Sequence, residues 1–351
     1  MKLHRNFTKW LVVLGVLHAI VICAGFFAPY DPVEQDRQSP YLPPMRLHLL
    51  DARGHFHLRP FVYSLRLREG SFGQFEEDAA KPQSVRFFQR GARYRLLGFL
   101  PCRRHFFGSE NSRIYLLGTD AYGRDQLSRF LFGGQVSLLA GLLGAGITLL
   151  IGAGVGAVAG FYGGWRDSLL MRLAELFLAL PWLYLLFALR AFLPLAVSPL
   201  SAFFLIIAVI GAVGWARPAR LVRGVVLSAK ERDFIRAARG FGATNGYLLR
   251  RHILPETSSV LLTQAAILIP QYVLAEMSLS FLGLGVPEPA PSWGSLLSSL
   301  QQYSVLVSYW WMYLPALFMV PFFLGYLVLA SSLQDHGEAY KIERSSLGSL
   351  T

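Results

Sequence analysis

Six runs of mostly apolar residues divide the sequence. Each is about 17 to 25 residues long and carries few charges, which is the length that a helix needs to cross a bilayer core. The pattern therefore predicts an all-α polytopic membrane protein with about six transmembrane helices. The predicted spans are Trp10–Ala28, Val136–Phe161, Leu169–Leu193 (with a kink at Pro181), Leu200–Ala216, Val260–Leu284 and Tyr309–Leu333.

The first apolar run follows a basic N-terminus, an arrangement that is also typical of a cleaved secretion signal. The run is long enough to span a membrane, and the residues before Pro29 offer no clean small-x-small cleavage site. We therefore expect residues 1–29 to form a retained transmembrane helix.

Residues 30–117 are the one part of the chain that resembles a water-exposed domain. Apolar and polar residues alternate over Phe61–Arg68, which predicts a half-buried strand. A second aromatic and basic run, Val85–Phe99, is interrupted at Gly91–Ala92 and predicts a hairpin with its turn there. The sequence thus predicts a small β-containing external insertion between the first two spans. We interpret its histidines and Cys102 as exposed strand residues and not as metal ligands.

Basic residues are frequent in the short loops that follow even-numbered spans and at both termini, which predicts that these parts are cytoplasmic. The long insertion is also basic, but long loops are translocated largely regardless of charge. The net charge of +12 is explained by contact with anionic lipid head groups, so we expect no nucleic-acid binding. Both termini are therefore predicted to be inside.

Two short patterns flank the second span. Thr119 or Asp120 is placed to cap a helix that leads into the membrane, and Asp125 and Arg129 are placed to pair one turn apart. Within the span, small residues recur every four positions, a stripe that lets two helix backbones approach closely. We interpret this stripe as a helix-packing surface: Gly152, Gly156 and Gly160.

The predicted cytoplasmic segment between spans four and five is the most informative stretch. Asp233–His252 predicts a short helix, a turn at Gly242 and a second short helix, with Phe234, Ala238 and Phe241 on one face. Gly242 is suited to end a helix because glycine adopts the left-handed conformation without a side-chain penalty. The segment closes with Ile253-Leu254-Pro255, which leads into the next span.

This segment resembles the EAA loop of the permeases of ABC importers. Three further motifs, in the same order and spacing, resemble the oligopeptide/dipeptide permease family. They are Leu117–Asp125, Ser280–Gly285 and Pro291–Gly294, and the resemblance extends over about residues 116–335 and the first span. The resemblance implies a location in the cytoplasmic (inner) membrane of a prokaryote. It implies a type I importer permease core in residues 118–335, with a coupling loop at 223–255 and a cytoplasmic tail at 336–351.

The resemblance implies that this loop contacts an ATPase subunit. The residues it assigns to ATPase coupling are Arg236, Ala237, Ala238, Gly242, His252, Leu254 and Pro255. Arg236 departs from the family motif, which has glutamate there. The implied partners are a second homologous permease, two ATP-binding cassette ATPase subunits, an external substrate-binding protein and membrane lipid.

The sequence contains no phosphate-binding G-x-x-x-x-G-K-[ST] motif. We therefore expect a non-enzymatic subunit with no cofactor of its own, in which partner subunits bind and hydrolyse ATP. The resemblance favours peptides as substrate, although nickel chelates, glutathione and other small solutes are served by similar permeases.

The alternative function is a self-sufficient secondary transporter or channel, which is expected to carry ionisable residues at mid-membrane. Arg190 and Glu276 are charged residues within the apolar runs, and both are predicted toward the outer ends of their spans. They are candidates for a structural ion pair or, in the case of Glu276, for a position on the translocation path.

Overall fold

The computed structural model describes residues 2–51, 53–67, 75–96, 99–110, 112–192, 194 and 197–348. Most of them are helical, and the longest helices coincide with apolar runs of the sequence. The α-helices are α1 Lys2–Ile22, α2 Ala24–Phe27, α3 Gln126–Tyr162, α4 Gly164–Ala179, α5 Trp182–Phe192, α6 Pro199–Gly214, α7 Ala216–Lys230, α8 Asp233–Gly240, α9 Asn245–Leu248, α10 Leu254–Glu256, α11 Ser258–Phe281, α12 Trp293–Ser298, α13 Tyr303–Ser308 and α14 Leu314–Gly348. The strands are β1 His48–Leu50, β2 Phe56–Leu67, β3 Phe75–Ser84, β4 Arg86–Leu96 and β5 Leu100–Gly108.

The described residues contain six apolar helical segments, of which three are long and apolar enough to cross a membrane, or five if each bent pair is one span. Three are single helices, Gln126–Tyr162, Ser258–Phe281 and Trp310–Asp335. Two are bent pairs, α4 with α5 and α6 with α7, and the shorter apolar helix Phe7–Ile22 is the sixth. The predicted fold class, a helical membrane protein with a β-containing insertion, is confirmed.

The bent pairs change the predicted spans in detail. α4 and α5 meet at 90° across Leu180 and Pro181, which is sharper than a kink within one straight span. Proline at this position cannot donate the backbone hydrogen bond that would continue the helix. α6 and α7 meet at 45°, and α7 is helical as far as Lys230, so much of the basic segment expected as loop is helix.

One compact unit comprises Gly15–Ser137 and Met277–Phe322. Its β-structure consists of a three-stranded antiparallel sheet, β1-β2-β3, and a separate hairpin of β4 and β5. The sheet confirms the predicted strand pair over Phe61–Leu67; Arg68 lies outside the described residues. A small core lies beneath the strands, formed by Leu42, Met45, Val62, Val85, Phe107, Ile114 and Tyr115.

The prediction of a turn at Gly91–Ala92 was wrong. β4 is continuous through these residues and pairs with β5, and only its register shifts between Arg90 and Tyr94. Gly91 is explained by packing, because a Cβ there would lie 2.7 Å from the His105 ring.

The other compact unit comprises the described residues within Met1–Leu14, Leu138–Glu276 and Phe323–Thr351. In it α3 lies against α7 along the glycine stripe. A Cβ on Gly152 would come within 2.7 Å of Pro218, and one on Gly160 within 2.9 Å of the Arg223 carbonyl oxygen. A Cβ on Gly156 would overlap the Ala219 carbonyl oxygen. The three glycines thus occupy a backbone-to-backbone contact that no larger residue fits.

Candidate coupling site

α8 is a short helix whose ends are set by its sequence. Asp233 lies in its first turn, where the helix dipole favours an acidic residue. The helix closes at Gly242, whose φ is +84°. The Gly242 amide donates to the Arg239 carbonyl (3.0 Å) and the Ala243 amide to the Ala238 carbonyl (3.1 Å), which is the bonding that satisfies carbonyl groups at a helix end.

The chain then turns into a second short helical segment. The Thr244 side chain caps α9 by accepting a hydrogen bond from the Tyr247 amide (3.4 Å). A π-helical turn, Leu249–Ile253, connects α9 to α10. Pro255 lies in the first turn of α10, where its missing amide hydrogen leaves no helical acceptor unpaired.

One face of this segment is anchored in an apolar core. Ile235, Leu248 and Ile253 are at most 1% exposed and pack in a cluster with residues of α3 and α7. The members from those two helices are Ala157, Phe161, Val222, Val226 and Ala229. Burying three branched aliphatic side chains of this size stabilises the arrangement by about 5 to 8 kcal/mol. The segment is therefore fixed to α3 and α7.

The opposite face is aromatic and exposed. The exposed fractions are 49% for Phe234, 93% for Phe241 and 53% for Tyr247. The His252 ring lies between two of them, with centroids 6.0 Å from Phe234 and 5.4 Å from Tyr247. We call Phe234, Phe241, Tyr247 and His252 the aromatic face.

The most buried residue of α8 is not one of the three that were predicted to share a face. Ile235, not Phe234 or Phe241, faces the core, while Ala238 is half-buried against it. The other assigned residues lie nearby, with Arg236, Ala237 and Pro255 exposed and Leu254 half-buried.

Ion pairs hold the segment at its edges. Arg232 donates to Glu256 at 2.8 Å, and Arg236 donates to Glu231 at 3.0 Å. Arg223 of α7 binds both carboxylate oxygens of Asp167 in α4, at 2.5 and 2.6 Å. A bidentate arginine–carboxylate pair fixes direction as well as distance, so α4 and α7 are held in register.

The two charged residues predicted within the spans are both buried. Arg190 is 1% exposed and donates to the Pro194 carbonyl at 3.2 Å; its Nε has no hydrogen-bond partner among the described residues. Glu276 is fully buried.

A buried ionic cluster in the unit that carries the β-strands was missed in the sequence. Arg124 donates to Asp120 (2.7 Å) and to Glu288 (2.6 Å), and Arg129 donates to Glu288 (2.8 Å). Arg124 and Arg129 are 6% and 2% exposed. We call Asp120, Arg124, Arg129 and Glu288 the ionic cluster; its one signal in the sequence is four charges within ten residues just before an apolar run.

Two local predictions about this region were wrong, because both misassigned the role of Asp125. Asp125, rather than Thr119 or Asp120, caps α3, because its carboxylate accepts from the Ser128 amide (2.8 Å) and hydroxyl (2.6 Å). Arg129 pairs with Glu288 instead of Asp125. Burial of Asp125 raises the pKa of its carboxyl group to about 6.

Comparison with known proteins identifies the family. The model of the family described as the inner membrane component of binding-protein-dependent transport systems matches residues 152–336, which is more than half of the chain. The chain belongs to this family. The matched range contains the glycine stripe, Glu276 and the segment from α8 to α10, which we call the coupling segment.

Individual relatives agree with the assignment. The chain is 37% identical to the oligopeptide transport system permease protein OppC of Haemophilus influenzae, over 63% of this chain and 69% of that one. It is 35% identical to the dipeptide transport system permease protein DppC of Bacillus subtilis, over 64% and 68% of the two chains. A solved structure of the MetNI methionine ABC transporter, in an inward-facing conformation, aligns with a TM-score of 0.42 and 19% identity, covering 58% of this chain and 93% of that one.

No group of three or more His, Cys, Asp or Glu side chains is placed to hold a metal ion within the described residues.

Proposed function

We propose that this chain is one permease subunit of an ATP-driven, binding-protein-dependent importer that moves peptides across the inner membrane. The family membership and the peptide permeases among its relatives support this function. The observation that carries the mechanism is the segment from α8 to α10, which is anchored on one face and exposes an aromatic surface on the other.

The exposed aromatic face is unexplained by the chain's own packing. Phe241 is 93% exposed, so it contributes almost nothing to the chain's own core. Large exposed aromatic side chains mark surfaces that bind a partner. We assign this face to the groove of an ATP-binding cassette ATPase, with one ATPase for this chain and a second for a homologous permease.

The anchored face explains how movement of the ATPase would reach the membrane. Ile235, Leu248 and Ile253 are packed against Val222 and Val226 of α7. Because packed cores do not deform continuously, a displacement of α8 moves α7 with it. The Arg223–Asp167 pair then carries the displacement to α4. Rigid-body rearrangement of this kind is one of the known ways in which transporters switch conformation.

The charges at the coupling segment suggest what its partner presents. Arg236, Arg239, Arg250 and Arg251 are exposed. We propose that the ATPase groove is acidic here and that Arg236, where the family motif has glutamate, meets one of its carboxylates.

The domain layout belongs to the same proposal. Residues 1–29 form the first span, 30–117 an external lobe, 118–335 the permease core with the coupling loop at 223–255, and 336–351 a cytoplasmic tail. This places both termini and the coupling segment in the cytoplasm, as the basic residues of these segments favour. The external lobe is then available to a substrate-binding protein.

Arg190 and Glu276 have two possible roles within this layout. Complete burial of both side chains supports a structural role, since an ionisable residue within the membrane needs a partner or water. Glu276→Gln separates this role from a position on the translocation path. Normal uptake with lowered thermal stability supports the structural role, whereas lost uptake with unchanged stability supports the path.

The substrate is tested by uptake in reconstituted vesicles that contain the full complex. We expect a radiolabelled di- or oligopeptide to be taken up with ATP and not without it. Uptake of a nickel chelate or of glutathione in place of peptides would overturn the substrate but leave the importer function intact.

The coupling role is tested by Phe241→Ala, with Phe192→Ala as the control. Both side chains are almost fully exposed, 93% and 88%, but Phe192 lies at the end of α5, away from the aromatic face. We expect Phe241→Ala to weaken co-purification with the ATPase and to reduce ATP-driven uptake about tenfold or more, as truncation of an interface anchor does. Equal behaviour of the two variants would contradict the assignment.

A further inference from the structure

The β4–β5 hairpin carries an exposed group of phenylalanines. Phe87, Phe88, Phe99 and Phe106 are 51%, 59%, 69% and 37% exposed. The Phe106 ring centroid lies 5.6 Å from that of Phe87 and 6.1 Å from that of Phe88. An aromatic patch of this kind is unfavourable in water and marks a surface that something else covers.

The backbone is arranged to bring two of these rings together. Adjacent residues of a strand normally point to opposite faces, yet Phe87 and Phe88 both contact Phe106. This is possible because Phe88 has a φ of +57°, a backbone conformation that residues other than glycine and asparagine rarely adopt. The hairpin thus maintains an unusual backbone that gathers aromatic rings on one side.

The hairpin is attached to the end of the first span. The His105 ring donates from Nδ1 to the Ala28 carbonyl at 2.6 Å, and Gly25 leaves room for the Tyr94 ring, which a Cβ would overlap. Phe26, in the last turn before the chain leaves this span, lies 6.1 Å from Phe88 and 5.9 Å from Phe106 between ring centroids. The hairpin therefore packs against the end of the first predicted span.

The first predicted span also exposes apolar side chains. Val16 and Ile22 of α1 are 53% and 49% exposed, as expected of residues that face acyl chains. Phe26 and Phe27 follow, and Phe27 contacts Phe106 at 5.7 Å. Exposed apolar side chains thus occur on α1, and the phenylalanines of α2 connect its end to the aromatic rings of the hairpin.

The charge of the hairpin identifies the kind of lipid. Residues 85–108 contain six arginines and no Asp or Glu. Arg86 pairs with Glu110 just outside this range; the others are Arg90, Arg93, Arg95, Arg103 and Arg104, and all five are exposed. Arginine binds phosphate in a bidentate manner, and long basic side chains extend to the head groups while aromatic residues enter the apolar boundary.

We propose that the β4–β5 hairpin is an interfacial membrane anchor, whose phenylalanines enter the lipid at the end of the first span and whose arginines bind the head groups of anionic phospholipids. It holds the external lobe against the bilayer surface beside the permease. The proposal depends on the first span being in the membrane, but not on peptides as the substrate or on the coupling segment.

Spin-label accessibility in the full-length chain tests the position. In proteoliposomes that contain phosphatidylglycerol, with Cys23 and Cys102 replaced by serine, a nitroxide is attached at Phe88→Cys or, separately, at Phe87→Cys. The matched control is Leu58→Cys, which is 92% exposed on β2. We expect labels at 87 and 88 to collide severalfold more with membrane-dissolved oxygen than with aqueous nickel chelate, and the label at 58 to show the reverse.

Two results would overturn the proposal. Accessibility of positions 87 and 88 to the nickel chelate, as at position 58, would place the hairpin in water. Protection from both reagents would mean that a protein covers the patch instead of lipid.

A second comparison tests the head groups. The double variant Arg90→Gln with Arg103→Gln is expected to lower the oxygen preference at Phe88→Cys in vesicles with phosphatidylglycerol. In vesicles of phosphatidylcholine alone, the variant and its parent are expected to be alike. If the oxygen preference does not depend on the anionic lipid, the arginines do not contribute to the anchor.

Discussion

Arg232 donates a hydrogen bond to Glu256 at 2.8 Å, across 24 residues of sequence. The pair closes the coupling segment, since Arg232 directly precedes α8 and Glu256 ends α10. The two side chains are about one-third exposed, so we expect the pair to act on the position of α8 more than on the stability of the whole chain.

Glu256→Gln should loosen the coupling segment. We expect faster amide hydrogen exchange over residues 233–248 and a severalfold lower ATP-driven uptake, with a loss of unfolding free energy below about 1 kcal/mol. The control is Glu231→Gln, which removes the same charge from a pair that is 63% exposed on both sides. If exchange in α8 is the same in the two variants, Arg232 and Glu256 do not position the helix.

Gly242→Asp should disturb the turn between α8 and α9. The φ of +84° at Gly242 costs any residue with a Cβ about 1 kcal/mol or more. We therefore expect the chain to insert normally while ATP hydrolysis is uncoupled from import or the ATPase is released. Gly246→Asp adds the same charge in the first turn of α9, where no atom lies within 4 Å of an added Cβ and the helix dipole favours an acid. Coupled uptake by Gly242→Asp at the level of Gly246→Asp would contradict the role of the turn.

Glu288→Gln should destabilise the chain through the ionic cluster. It removes the charge that faces Arg124 and Arg129, and Arg129 is 2% exposed. Breaking a buried pair costs about 3 to 5 kcal/mol; because Glu288 itself is 49% exposed, we expect a loss of about 1 to 3 kcal/mol. The midpoint of thermal unfolding in detergent measures the effect.

Glu110→Gln is the matched control for that variant. Glu110 is 53% exposed, close to Glu288, but its partner Arg86 is also 49% exposed. We expect a change of less than about 1 kcal/mol. Equal shifts in the two variants would show that burial of the arginine does not determine the cost.

Ionisation of Asp125 should make the free energy of unfolding depend on pH, with a definite sign. Its pKa rises from 3.8 to about 6 on folding, so the folded chain binds this proton more tightly than the unfolded chain. Its contribution to the free energy of unfolding is greatest below pH 4 and falls as the pH rises through 6. The whole decrease is at most about 3 kcal/mol.

Asp125→Asn should flatten this part of the pH profile, because asparagine still caps a helix and does not ionise. Thermal unfolding midpoints between pH 4.5 and 7.5 measure it. Asp31→Asn, at an exposed aspartate that also accepts a backbone hydrogen bond, is the control for the loss of a carboxylate. An unaltered slope in Asp125→Asn would remove this carboxyl group as its cause.

Much of the fold follows from local pattern. The apolar runs predicted the spans because a membrane helix must satisfy all its backbone hydrogen bonds internally, and Gly242 predicted the turn because its backbone requires glycine. The buried side of α8 was not predictable in this way. Ile235 and Phe234 are adjacent and both apolar, and only the position of Val222 and Val226 on α7 decides which of them is buried.

The ionic cluster and Gly91 illustrate the other limit. Arg129 has a plausible partner four residues away in Asp125, yet it binds Glu288, 159 residues later. Gly91 suggested a turn, but its size is required by the His105 ring on the neighbouring strand. In both cases the deciding neighbour is distant in the sequence, and its position depends on the completed fold.

The separation of Arg129 and Glu288 in the sequence also affects the order of events during synthesis of the chain. A ribosome adds about 5 to 20 residues per second, so Arg129 leaves the ribosome roughly 8 to 30 s before the carboxylate that neutralises it. Until then Asp120 is the one acidic member of the ionic cluster that has been synthesised, and it must serve two guanidinium groups. Arg129 therefore lacks its main partner carboxylate while the spans from α4 to α11 are being inserted, and the end of this helix can reach its final burial only in the last phase of synthesis.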